Sequence, residues 1–167
     1  MYETKRINGR IRCGFTLVEV LIVLLILSIL VIIGTPGLLE AIRANRTLTQ
    51  ADTLQITLEE ARDAALLHGH TIALCASSDG ETCASSTDWS VGWLVTDLNN
   101  GAVLAIESAL RGGSYLLADV KTLTFAANGE PDEAATFVLG PDVCVGRSAR
   151  TIGVELTGLV SNQARAC

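Results

Sequence analysis

The chain is poor in the residues from which most enzymes and metal centres are built. It holds only two histidines, His68 and His70, and no C-x-x-C pair. Structural zinc needs four Cys or His ligands at characteristic spacings, so no metal site is assigned. No nucleophile-elbow sequence and no metal-ligand helix of the H-E-x-x-H kind is present. Asp97-x-Asn99-x-Gly101 begins like a calcium loop but lacks the further oxygen ligands and the closing glutamate, and reads as a hairpin turn. No internal repeat or low-complexity stretch stands out. A non-catalytic protein without a cofactor is expected.

Basic charge is also scarce once the first residues are set aside. Lys5, Arg6, Arg10 and Arg12 stand against Glu3 in residues 1–14, a net charge of +3. The whole chain carries −6, so the remaining 153 residues carry −6 − 3 = −9. An acidic body disfavours non-specific binding to nucleic acid, which draws its affinity from neutralised phosphates.

The third scarcity is charge between Phe15 and Leu39, where Glu19 is the single ionisable side chain in 25 residues. As a helix this stretch is roughly 37 Å long, enough to span a bilayer. The basic leader before it predicts a cytoplasmic amino terminus, with the rest of the chain outside the inner membrane. An ordinary secretory signal is the rival reading, with a weak cut site in Gly34–Gly37. An acid at membrane depth costs about 2.5–3.5 kcal/mol on insertion scales, which marks Glu19 as functional. Its local role would be to favour the helix start through the dipole.

Beyond Pro36, which should kink or loosen the helix, helical periodicity continues over Leu38–Leu67. Ala51, Leu54, Leu58, Ala61 and Ala65 form one apolar stripe, and Gly69 is the expected stop. From His70 the pattern changes to short strands, expected at Thr71–Leu74, Gly92–Thr96, Val103–Glu107, Val120–Phe125, Thr136–Leu139 and Thr151–Leu156. The organisation is therefore a leader over 1–14, a transmembrane helix over 15–37, an amphipathic helix over 38–68 and a β-rich head over 69–167. The fold class is α+β: a long amino-terminal helix packed on an antiparallel sheet. Trp89 and Trp93 are expected to pack in the core.

Cys13 lies in the leader, which leaves Cys75, Cys83, Cys144 and Cys167. An even number in a chain facing an oxidising compartment suggests disulfides. Three pairings are open; Cys75–Cys83 and Cys144–Cys167, each closing a local loop, are favoured.

The sequence GFTLVE (Gly14–Glu19) between a basic leader and an apolar run resembles the processing site of type IV pilins and type II secretion pseudopilins. A proline at position 22 counted from Phe15, here Pro36, extends the resemblance. It implies cleavage by a prepilin peptidase between Gly14 and Phe15, and methylation of the new Phe15 amine. It also implies assembly in which Glu19 of one chain approaches the Phe15 amine of a neighbour. Within the head, IALCASSDGETC (Ile72–Cys83), DWSVGWLVTDLNNG (Asp88–Gly101) and a late cysteine resemble the GspH/FimT family of minor pilins and pseudopilins. The matching residues are Cys75, Cys83, Trp89, Gly92, Trp93, Asp97, Asn100 and Gly101. The resemblance implies a pilin-like fold and a non-catalytic subunit of a pseudopilus or type IV pilus. Its partners would be other minor pilins and the major pilin, with an inner-membrane anchor and a periplasmic head.

Arg147 and Arg150, in GRSAR, with Arg165 near the end, raise an alternative. Some FimT-type pilins bind DNA through a Gly-Arg-x-Arg sequence near the carboxyl terminus. GRSAR has one extra residue between its arginines and precedes the Thr151–Leu156 segment rather than following it. DNA binding for natural transformation is therefore the second reading.

Overall fold

The computed structural model describes residues 15–167; the leader, with Gly14 and its expected cut, lies outside the described residues. The chain divides into two compact units at the junction of Leu38 and Leu39.

One helix, α1, runs from Leu17 to His68. Thr16 starts it: the Glu19 amide donates to Thr16 Oγ1 at 3.3 Å, and the Val20 amide to the Thr16 carbonyl. Thr16-Leu17-Val18-Glu19 thus has the spacing of a capping box. Pro36, where the sequence suggests a kink or loosening, lies within α1. Gly69 ends α1 with φ 66° while its amide bonds to the Ala65 carbonyl at 2.9 Å. This left-handed stop needs glycine's freedom.

Eight strands follow: β1 (Ile72–Ala76), β2 (Gly92–Asp97), β3 (Val103–Ser108), β4 (Tyr115–Ala118), β5 (Thr122–Phe125), β6 (Ala135–Gly140), β7 (Ala149–Val154) and β8 (Val160–Arg165). They form two four-stranded sheets, ordered β3-β2-β1-β5 and β4-β6-β7-β8, with every pairing antiparallel. β1 is buried along its whole length, as a central strand covered on both faces must be. A bridge between Asp88 and Leu117, with Trp89 donating to the Leu116 carbonyl, ties the loop after β1 to the edge of β4.

The stripe of Ala51, Leu54, Leu58, Ala61 and Ala65 is buried against both sheets, with Leu74, Leu123, Phe137, Leu139 and Ile152 in the same core. Fully burying Leu54 and Leu58 stabilises the head by about 1.5–3 kcal/mol each. Trp89 and Trp93 are core residues, and Trp89 meets Phe137 edge-on with centroids 5.0 Å apart. Gly92, at φ 108°, begins β2 where a Cβ would strike the Ser77 and Glu107 carbonyls, so backbone passes where a side chain has no room.

Four sequence expectations are corrected. β4 and β8 are additional strands; Val120 lies before β5; the segment placed at Thr151–Leu156 is β7, two residues earlier. Ala149 and Arg150 of GRSAR therefore belong to the strand. Arg165, near the end of the sequence, is the last residue of β8.

Candidate functional site

Two surfaces carry unusual chemistry. The first is the amino-terminal part of α1. Its described side chains from Leu17 to Leu39 are all exposed, and α1 is the one helix among the described residues long and apolar enough to cross a membrane. The polar side chains in this stretch are satisfied from within. Ser28 Oγ donates to the Leu25 carbonyl at 2.7 Å, and Thr35 Oγ1 to the Val31 carbonyl. In lipid, where no water serves a hydroxyl, such bonds are needed. Glu19 is the exception: an exposed carboxylate in the first turn of an apolar helix.

The second surface is basic. Arg147, Ser148 and Arg150 line a cleft of about 300 Å³ with Ala44, Asn45 and Leu48 of α1 and Ala164 of β8. The β7–β8 register sets Arg150 opposite Ala164 and Ala149 opposite Arg165. Arg147 Nη2 reaches the Ala164 carbonyl at 3.5 Å. The Cys144–Cys167 disulfide, with Cα atoms 5.6 Å apart, and the bond from the Cys167 amide to the Gly146 carbonyl close this end of the hairpin. The structure thus brings Arg147, Arg150 and Arg165 together at one end of β7–β8. None of them pairs with a described carboxylate.

A second disulfide, Cys75–Cys83, closes a short loop off β1. Asp79 organises that loop. Its carboxylate accepts from the amides of Thr82 and Glu81 and the hydroxyls of Thr82 and Ser77. These bonds, the Thr82 amide first, hold the Asp79 carboxyl well below the usual range.

A family model described as type II transport protein GspH matches residues 50–158, well over half of the chain. The chain belongs to the GspH family. A second model, the prokaryotic N-terminal methylation motif, matches residues 9–35 and so includes Gly14, Phe15 and Glu19. No curated protein gives a significant match. Among solved structures, the Pseudomonas aeruginosa type IV minor pilin FimU aligns with TM-score 0.60 and 22% identity, covering 72% of this chain and 93% of FimU. The Vibrio cholerae minor pseudopilin EpsH aligns with TM-score 0.54 and 11% identity, covering 74% of this chain and 96% of EpsH. At these identities the likeness concerns the fold: a long amino-terminal helix packed on antiparallel sheet.

The head of this GspH-family protein also holds a polar pair that sequence reasoning missed. Asp97 ends β2 almost completely buried, and its Oδ2 lies 2.6 Å from His70 Nδ1, just past the end of α1. Its Oδ1 accepts from the Asn99 amide at 2.8 Å, and Asn99 Oδ1 accepts from the Thr71 amide at 3.1 Å. The hydrogen bond to His70 is the main cause that keeps the Asp97 carboxyl low, against the opposing effect of burial. The Asp97–Gly101 segment is the β2–β3 turn, closed by Gly101 donating to the Asp97 carbonyl. It locks the sheet to the end of the helix. The available signal was an aspartate closing the otherwise apolar GWLVTD, since a buried carboxylate requires partners.

Proposed function

We propose that this protein is a minor pilin or pseudopilin, anchored in the inner membrane through residues 15–37 with its head in the periplasm. Prepilin peptidase cleaves after Gly14 and the Phe15 amine is methylated. The subunit then joins other minor pilins and the major subunit in a pseudopilus or type IV pilus. The observation that carries this reading is Glu19, a lone carboxylate in the apolar, exposed amino-terminal part of α1 and inside the matched methylation motif. In lipid it is costly to leave unpaired. Beside the Phe15 amine of a neighbouring subunit the attraction is strong in a low dielectric, and that pairing fixes axial register. The Thr16 cap gives the glutamate position a second, local role in starting α1.

Two measurements test the reading. Mass spectrometry of membrane-extracted protein should show a chain beginning at methylated Phe15; a chain beginning after Thr35 or Gly37 refutes it in favour of a secretory signal. Glu19→Ala should leave processing and the head intact while incorporation with partner pilins falls; normal co-assembly refutes the intersubunit role.

A DNA-binding minor pilin is the second reading, motivated by the convergence of Arg147, Arg150 and Arg165. The net charge of −9 outside the leader opposes it. Duplex binding that Arg147→Ala and Arg150→Ala both abolish would promote it.

A further inference from the structure

Two four-stranded sheets have four edge strands, and three of them are guarded. Outside β5 the chain folds back: Ala126 donates to the Glu130 carbonyl, Asp132 to the Thr124 carbonyl, and Phe125 bridges Pro131. Outside β4 it does the same, with Trp89 donating to the Leu116 carbonyl and Ala118 to the Thr87 carbonyl. β8 is polar, ends on Arg165, and its Ala164 carbonyl accepts from Arg147. Covering loops and charged or polar side chains are the usual guards of an edge. β3 has no covering loop and a single charge, Glu107. Among the described residues nothing bonds to the main chain on its outer side. Its Val103, Leu104 and Ile106 are 43%, 43% and 57% exposed.

The neighbouring strands set which groups of β3 face outward. Ser77 donates to the Gly92 carbonyl, so Gly92 and Leu94 turn their main chain to β1, and Trp93 and Val95 turn theirs to Glu107 and Ala105. The main-chain groups of Ile106 and Ser108 therefore point away from the sheet. The register passes from Val95 with Ala105 to Thr96 with Val103, which leaves Leu104 unmatched and the regular open edge at residues 105–108. Between this edge and α1 lies a cleft of about 250 Å³. Ala61, Ala64, Val95, Leu104 and Ala105 give it apolar walls; Glu60 is its one carboxylate, and no Lys or Arg lines it. Asp63 adds a carboxylate in the adjoining depression, and Glu60 has no ion-pair partner among the described residues. Elsewhere along β3 the charges are mixed: Asp79 and Glu81 flank Gly80 beneath Ile106, and Arg46 and Arg111 share a cleft with Glu107 and Ser108.

We propose that β3 is a docking edge for an extended segment of another protein chain, which adds antiparallel as a fifth strand and places one Lys or Arg in the Glu60 cleft. In strand addition the main-chain bonds, here from Ile106 and Ser108, give affinity, and side-chain pockets give selection. Side chains alternate across a strand. A residue opposite Ile106 packs on its exposed apolar side chain, while the residue opposite Ala105 turns to the cleft. The alkyl stem of a Lys or Arg suits the apolar walls, and its charged head suits Glu60. A second copy of β3 fits poorly, since it offers no basic residue and brings another Glu107 to the same edge. Docking of such a segment requires neither leader cleavage nor a membrane anchor.

The test uses the isotope-labelled full chain in detergent micelles, with the capped peptide Val-Thr-Val-Lys-Val as probe. His68 also lines the cleft, so the buffer is held at about pH 8, where an ordinary histidine is neutral. NMR follows the Ile106 and Ser108 amides up to millimolar peptide. Saturable shifts at both are expected, with Cys75 of the interior strand β1 unmoved. The same peptide with Glu in place of Lys should bind at least about fivefold more weakly at low salt, because a like-charge contact replaces an attractive one. Glu60→Lys, at an exposed position of α1, should reverse that preference. N-methylation of the central valine, opposite Ile106, removes a main-chain donor and should abolish binding. If Glu60→Lys does not fold, the three peptides on the unmodified chain decide. Absence of shifts at millimolar peptide overturns the proposal, as does equal binding of the Lys and Glu peptides or binding indifferent to N-methylation. Shifts at Ile106 and Ser108 that follow protein concentration without peptide overturn it in favour of a second copy.

Discussion

Replacing Cys144 and Cys167 together by serine isolates one contribution to the head. The bridge spans 23 positions, from the loop before β7 to the last residue. Chain entropy for a loop of this length corresponds to about 3 kcal/mol at 25 °C. The head unit from Leu39 to Cys167 has 129 residues, so its unfolding entropy near the midpoint is about 270 cal/mol/K and the loss corresponds to a Tm lower by about 11 °C. Trp89 and Trp93, both buried in the core, report unfolding by fluorescence. The six-residue register between β7 and β8 survives without the bridge, so part of the effect should be local, as faster amide exchange from Ala164 onward. An equilibrium loss below about 1 kcal/mol with unchanged exchange at the β8 end would show that pairing alone secures this terminus.

Leu58→Ala should destabilise the head by about 2–5 kcal/mol, whereas Ile56→Ala, on the exposed face of the same helix, should change it by less than about 0.5 kcal/mol; chemical denaturation compares them. Asp97 and Asp79 both have depressed carboxyl pKa values, so their stabilisation is fully present above the ordinary aspartate value of 3.8 and is lost as pH falls through the lower folded values. Head stability should therefore fall below about pH 4, and Asp79→Asn should make that fall shallower in acid titrations monitored by fluorescence.

The helix and the central strands were legible because each carries a period. Ala51, Leu54, Leu58, Ala61 and Ala65 recur at helical spacing, and all five are buried. β1, β2 and β6 are compact apolar runs bounded by turn residues. β8 was not legible: VSNQAR is polar, lies at a sheet edge and exists as a strand because β7 offers it a ladder. β4 is four residues long and follows the Gly112–Gly113 pair, too short for a periodic signal. The basic cleft depends on contacts between positions far apart, such as Ala44–Leu48 with Arg147–Arg150, which no local pattern encodes. GRSAR drew attention through its likeness to a motif, but its place beside Ala44, Asn45 and Leu48 of α1 was visible only in the fold.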